Sequence, residues 1–321
     1  MKTIVITGGN SGLGLETAKI LATDKNNQLI LGCRNQSKAL AAVEELKKIS
    51  GNDHIQTLEL DLSSFTSIRN FAEKVLAVTK NIDVLACNAG IQITKGTQIT
   101  AEGFEKTFGV NHLGHFLLTK LLLPSINKVS GRIVLVSSGT HFNPAIWQSS
   151  MFGIPPADYT GWENVSAANS FKNYPEKNRG YVRYSTSKLC VLFFGYELEA
   201  RLKQNNMGIT VNIFDPGLMP GTELARDGSA LEIWAWKNIM PVMRIFDGVF
   251  SVKTSAKNFS NMLTGNSFEK ISGKYYEGPK EKKSSDDSYN KTFWNDLWKG
   301  SESLIKETFE IQSVIKSVSN S

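Results

Sequence analysis

The sequence predicts an α/β fold of one domain: a doubly wound parallel sheet of about seven strands with helices on both faces. Three observations carry that expectation. Short apolar runs alternate along the chain with segments of helical spacing. The runs are continuously apolar rather than alternating, as strands covered on both faces must be. A glycine-rich stretch, "GGNSGLG", joins the first run to the first helical segment, and such turns tighten a strand onto a helix.

Taken in order, "TIVIT" is the first strand, followed by the glycine turn and the helix "LETAKILATD". "QLILGC" and "SKALAAVEELKKI" form the second pair, the helix carrying its charges outward, and "IQTLEL" and "SIRNFAEKVLAV" the third. "IDVLACNAG" opens the fourth, and one long helix is expected through "FEKTFGVNHLGHFLLTKLLLPSI". "GRIVLVSS" is the fifth strand, and "ITVNIFDPG" the sixth. Between them lie an irregular stretch and a helix containing "YSTSKL". No composition shift divides the chain, so two local elaborations are expected within one domain, at about 139–180 and 218–250.

The 321 residues are 41% hydrophobic and 21% charged, ordinary for a soluble globular chain. The net charge of +6 is dispersed. The one dense run, "KEKKSSDDSYNK" at 280–291, mixes both signs and reads as a solvated loop, so no nucleic-acid partner is expected. Cys33, Cys87 and Cys190 are far apart and odd in number, which suits reduced thiols in a cytoplasmic protein. His112 and His115 are three apart but no second ligand cluster exists, so core or helix-face roles are expected and no metal. The first strand begins within a few residues of Met1, leaving no leader to expect. No run of eighteen apolar residues occurs. The nearest, 231–250, is interrupted by Lys237, Pro241, Arg244 and Asp247.

The turn between first strand and first helix places Gly8, Gly12 and Gly14 where backbone N–H groups can approach a pyrophosphate at the positive helix end. A carboxylate at the end of the second strand would hydrogen-bond a free ribose 2′-OH. This chain has Arg34 there, and Lys38 shortly after. Arginine offers a fork to phosphate, so NADP(H) is favoured over NAD(H). Tyr184 and Lys188 lie four apart, on one face of their helix. That spacing alone leaves open whether they form a surface contact or a built acid.

In their order and spacing, "TGGNSGLG", "LDLSS", "CNAG", "VNHLGHFLL", "VSS" and "YSTSK" resemble the short-chain dehydrogenase/reductase superfamily, with its Rossmann-like sheet. The likeness runs to about residue 222 and more loosely beyond. It implies Tyr184, Lys188, Ser138 and Asn111 as the catalytic set. Cofactor contacts are implied at Gly8, Asn10, Ser11, Gly12, Leu13 and Gly14, then at Arg34, Lys38, Asp61 and Leu62. Further ones are implied at Asn88, Ala89 and Gly90, at Tyr184 and Lys188, and at Pro216, Gly217 and Thr222, the last shifted by one residue from the usual position. The resemblance also divides the chain into a mainly cofactor-binding half (1–138), an insertion (139–180), a substrate lid (218–250) and a C-terminal helix–strand–helix (251–321).

In this reading Tyr184 exchanges a proton with the substrate oxygen, Ser138 hydrogen-bonds that oxygen, Lys188 holds the nicotinamide ribose, and Asn111 keeps a relay water. A free phenol has a pKa of about 10. The ammonium and a positive nicotinamide ring are expected to lower it by about three units, for roughly 4 kcal/mol.

The wording "TGGNSGLGLETAK", "CR" and "YSTSKL" is closest to retinol dehydrogenase-like reductases, as are the late "GKYYEG" strand and "FWNDLWKGSESLIKE" helix. A carbonyl/alcohol oxidoreductase acting on a lipophilic small molecule follows. Light-dependent protochlorophyllide reductases share "CNA" and Cys190, but the cysteine they place after "PG" is Leu218 here. A non-catalytic redox sensor would be expected to lose the tyrosine or lysine, and an extended-type epimerase to space its glycines differently.

Substrate walls are expected at 139–160 and 218–250, from Phe142, Trp147, Met151, Phe152, Trp234, Trp236, Met240 and Met243. His141, Phe142, Leu218 and Trp234 are the expected contacts. Residues 231–250 serve either as a lid or as a peripheral membrane patch. Monomer and homodimer both remain open.

Overall fold

A computed structural model describes residues 1–151, 153–219 and 246–305. Phe152, Thr222, Trp234, Trp236, Met240 and Met243 lie outside the described residues.

The sheet has eight strands in the order β3-β2-β1-β4-β5-β6-β7-β8. They are β1 (Lys2–Thr7), β2 (Asn27–Cys33), β3 (Ile55–Glu59), β4 (Val84–Cys87), β5 (Arg132–Val136), β6 (Thr210–Asp215), β7 (Tyr275–Glu277) and β8 (Lys280–Lys282). All pairs are parallel except β7–β8. The eighth strand comes from the charged run read above as a solvated loop. Gly278, at φ +56°, turns β7 back into an antiparallel edge. Lysines at both ends of β8 suit a solvent-facing edge strand. Beyond it Ser284, Ser285 and Ser288 are buried, so the run is half strand and half packed turn.

Alternation along each strand feeds two cores. Ile4, Ile6 and Phe214 face α1 (Gly12–Ala22), α2 (Gln36–Ser50) and a helix at Val252–Thr264. Val5, Leu85, Leu135 and Ile213 face α3 (Phe65–Val78), the long segment 106–125, and a helix at Glu176–Gln204. Parallel strands covered on both sides explain the unbroken apolar runs. The order reverses between β1 and β4, where α/β sheets of this kind open a crevice at their carboxyl ends.

The expected single long helix is three pieces: α4 (Lys106–Phe108), a π-helical turn (Gly109–Leu113) and α5 (Gly114–Leu122). Glycines bracket the turn because neighbours press on both ends. A Cβ on Gly109 would overlap the Thr100 methyl, and one on Gly114 would come 2.5 Å from the Leu62 carbonyl oxygen. π-Turns inside helices often mark functional positions, and this one carries Asn111.

Residues 139–180 contain α6 (Trp147–Met151) and α7 (Trp162–Ser166), after which α8 (Glu176–Gln204) runs for 29 residues. The remaining helices are α9 (Val252–Thr264) and α10 (Lys291–Leu304). Trp298 of α10 packs edge-on to Phe116 at 5.0 Å and lies 6.1 Å from Phe194. Among the described residues no helix is long and apolar enough to cross a membrane.

Candidate active site

The carboxyl ends of β1, β4, β5 and β6 and the middle of α8 enclose a cavity of about 360 Å³. At one end is the glycine turn. Gly8 and Gly12 have φ of +70° and +53°, the left-handed region that glycine enters without a Cβ clash. Gly14 is required for a different reason: a Cβ there would overlap the Gly8 carbonyl and come 2.7 Å from Asn88 Nδ2. Asn88 in turn donates to the Thr7 and Gly8 carbonyls, at 2.8 and 3.3 Å, holding the turn closed. Ser11, the N-cap of α1, makes no side-chain cap. The first-turn N–H groups are therefore left to the cavity, at the positive end of the helix dipole.

At the other end Tyr184 and Lys188 project from α8. Two hydroxyls fix this part of the helix: Ser137 Oγ donates to the Lys188 carbonyl at 2.9 Å, and Ser187 Oγ to the Tyr184 carbonyl at 2.7 Å. Ser138 and the Tyr184 phenol line the same cavity, at the end of β5 and on α8. Lys188 is 3% exposed. Its ammonium has three donors, and the Val136 carbonyl, at 3.0 Å, is its one hydrogen-bond partner among the described residues. A buried ammonium with spare donors facing a cavity suits a ligand rich in hydroxyl acceptors.

Burial decides the electrostatics. The Tyr184 phenol is pushed up to about 12, mainly by desolvation, against the downward pull of the nearby Ser138 hydroxyl. Lys188 is lowered to about 8 by burial, and the charge of Asp215 opposes that fall. The lowering expected above belongs to the phenol beside both the ammonium and a positive nicotinamide ring; for the chain by itself desolvation sets the direction.

Asn111 is fixed in place by three side-chain hydrogen bonds. Its Oδ1 accepts from the Ile91 N–H at 2.8 Å, while Nδ2 donates to the Ile91 carbonyl and to Ser187 Oγ, both at 2.9 Å. The side chain clamps the 88–91 segment to α8, with both amide N–H groups used and one lone pair of Oδ1 still available. His115, one turn on, bonds the Asn111 carbonyl through Nδ1 (3.2 Å) and Thr7 Oγ1 through Nε2 (2.9 Å). Burial holds it neutral, near 4. His112 reaches Ser301 at 2.8 Å. No His, Cys, Asp and Glu grouping suited to a metal occurs among the described residues.

Of the other expected cofactor contacts, Gly8, Ser11, Gly12, Leu13, Gly14, Asn88, Ala89, Gly90, Pro216 and Gly217 line the cavity. Asn10, Arg34, Lys38, Asp61 and Leu62 do not, but follow the same carboxyl edge of β1, β2 and β3. Arg34 and Lys38 are exposed and make no ion pair among the described residues. Asp61 Oδ1 accepts from the Ser63 N–H and hydroxyl at 2.9 and 2.7 Å. Leu62 is buried against α3 and α5.

Leu218 lines the cavity, with Ile91, Ile146, Ile154 and Met219. His141 and Phe142 do not. His141 is fully buried behind the wall, bonding the Ser138 carbonyl at 2.6 Å through Nδ1 and accepting from the Ser285 N–H at 3.2 Å. Phe142 packs on it at 4.2 Å. Both support Ser138 from behind. Sequence reasoning missed Ser137, Ser187, Thr7 and Asp215. For Asp215 a signal was present, an acidic residue directly before "PG".

Comparison with known proteins bears on this arrangement. Residues 2–150 match the family model described as short chain dehydrogenase. Human retinol dehydrogenase 13 is 32% identical over 312 residues, covering 95% of this chain and 84% of that one. The WW domain-containing oxidoreductase of Drosophila melanogaster is 32% identical over 311 residues, covering 96% and 69%. A crystal structure of an uncharacterised protein from Mycobacterium paratuberculosis shares 27% identity and superposes with a TM-score of 0.71 over 97% of this chain and 95% of that one. The glycine turn, the Tyr184–Lys188 helix and these matches over nearly the whole chain agree, and the chain is an oxidoreductase of the short-chain dehydrogenase family.

Proposed function

We propose that this chain interconverts a carbonyl and an alcohol on a lipophilic small molecule, using NADP(H), with Tyr184 as the acid/base. The observation that carries the reading is one cavity holding the uncapped α1 N-terminus, the underused Lys188 ammonium and the Ser138–Tyr184 pair. The glycine turn and α1 N–H groups hold a pyrophosphate, and Lys188 holds ribose hydroxyls. Arg34 and Lys38 select a 2′-phosphate. The cofactor supplies or accepts the hydride at the substrate carbon.

In the reducing direction the Tyr184 O–H donates its proton to the substrate oxygen as the carbon gains hydride. Ser138 hydrogen-bonds that oxygen. A phenol near 12 is protonated at neutral pH, which suits a donor to a carbonyl. Lowering it toward phenolate, as oxidation of an alcohol requires, needs added positive charge beside the ring. The apolar side of the cavity, Ile91, Ile146, Ile154, Leu218 and Met219, suits a lipophilic substrate. Most of the 218–250 stretch read as a lid, residues 220–245, lies outside the described residues.

The test is NADPH oxidation by the purified chain against lipophilic aldehydes and ketones in darkness, with NADH alongside. Dark turnover favouring NADPH supports the reading. Turnover that requires light and protochlorophyllide, or equal use of NADH, contradicts it.

A further inference from the structure

Asp215 has no task in the reaction just described, yet it lines the same cavity as Tyr184 and Lys188. It ends β6 and is 2% exposed. The Ser137 N–H bonds the Phe214 carbonyl at 2.9 Å, so Asp215 stands beside the end of β5, whose Val136 carbonyl holds the Lys188 ammonium. Alternation along β6 puts its side chain with Val211 and Ile213 on the face that α8 covers. Oδ1 accepts from the Gly217 N–H at 2.8 Å and Oδ2 from the Tyr275 hydroxyl at 2.6 Å. Oδ2 also lies 3.3 Å from where a Cβ on Gly139 would stand, just after Ser138. The carboxylate is pinned from two sides.

We propose that Asp215 is a positioning residue whose carboxylate is the counter-charge that keeps the Lys188 ammonium protonated in the chamber. This rests on the reading of Lys188 as the ribose ligand. Burial with a single acceptor drives an ammonium toward its neutral form, and the Asp215 charge pushes Lys188 the other way. The influence is mutual. Burial, joined by the Glu277 carboxylate, raises Asp215 to about 6, while Tyr275, the Gly217 N–H and the Lys188 charge hold it down.

The other titratable groups facing the pair do not replace either partner. Glu277 stands opposite Asp215 across β6–β7 and is bridged to Lys282. Tyr184 and Tyr275 are neutral phenols, and His115 and His141 are held neutral by burial. Glu277 also lines the chamber, but its carboxylate is taken up by Lys282, which leaves Asp215 as the counter-charge to Lys188.

The experiment is NADPH binding to the purified chain, followed by cofactor fluorescence across pH. Affinity is expected to fall as pH rises through the titration of Lys188. In Asp215→Asn that fall moves down by about one pH unit, giving roughly fivefold weaker binding near pH 8, approaching tenfold near pH 9, and little change near pH 6. Asp215→Glu keeps the charge and is expected to keep the wild-type midpoint. Asp215→Ser gives the same comparison should the asparagine variant not fold.

A neutral variant whose profile superimposes on wild type overturns the proposal. So does one weakened by the same factor at every pH, which marks a purely structural role. Wild-type protein that binds no NADPH at any pH overturns the cofactor reading itself, and this proposal with it.

Discussion

The Lys188 ammonium stands 5.7 Å from the centre of the Tyr184 ring, and its hydrogen bond goes to the Val136 carbonyl instead of the phenol. One turn of α8 separates the two side chains, so helix geometry sets their spacing and β5 sets the direction of the ammonium. Both are stripped of water, and each is pushed toward its neutral form. The pair as folded is a proton donor beside a cation under strain from burial.

That strain has a stability signature. Lys188 has a folded pKa of about 8 against 10.5 for the free group. The folded state binds this proton less tightly than the unfolded state, so the penalty is full below about 8 and fades as pH rises toward 10.5. About 3 kcal/mol is at stake across that window. Relative to Lys188→Met, the wild type is expected to gain roughly that much between pH 7 and pH 10.5 in urea unfolding. Parallel curves would contradict the burial argument.

Arg34→Ala is expected to weaken NADPH binding roughly 10- to 100-fold, the loss of a charge-assisted contact of about 1.5–3 kcal/mol. NADH binding should hardly change. Calorimetric titration with each cofactor checks this, and equal weakening of both would remove Arg34 from the 2′-phosphate.

At the glycine turn, Gly14→Ala places a methyl against the Gly8 carbonyl and Asn88. Something must move there, and overpacking of this kind costs about 1–3 kcal/mol. The expected outcome is a folded protein with NADPH affinity down at least tenfold. Undiminished affinity would show that the turn is not the pyrophosphate cradle.

The helix faces of α5 and α8 are already covered within the chain. Trp298 fills the space between Phe116 and Phe194, with the Arg201 guanidinium 4.3 Å over its ring. Glu302 reaches buried Lys120 at 2.8 Å. Sedimentation is therefore expected to give a monomer. Trp298→Ala should cost about 3–5 kcal/mol of stability. A stable wild-type dimer would mean that another surface pairs.

The sequence carried the sheet and most of the chamber because both rest on local chemistry. Apolar runs of strand length, a glycine turn and a four-residue Tyr–Lys spacing each state their geometry directly. Other features depended on neighbours distant in the chain. The π-turn at Asn111 is set by Thr100 and Leu62, and the side chain of Asn111 is held by Ile91 and Ser187. His141 is expected from the sequence among the substrate contacts. Its burial follows from Ser285 and Tyr275, more than a hundred residues on. The raised phenol of Tyr184 was likewise hidden, because desolvation is a property of the packed chain.

The central claim is that the Tyr184 hydroxyl moves the proton, and Tyr184→Phe tests it most directly. The variant keeps the ring and removes only the oxygen. NADPH-dependent turnover of a lipophilic carbonyl is expected to fall at least ~10²-fold, with NADPH affinity unchanged. A variant that still turns over at the wild-type rate, or one that has lost NADPH binding, would contradict it.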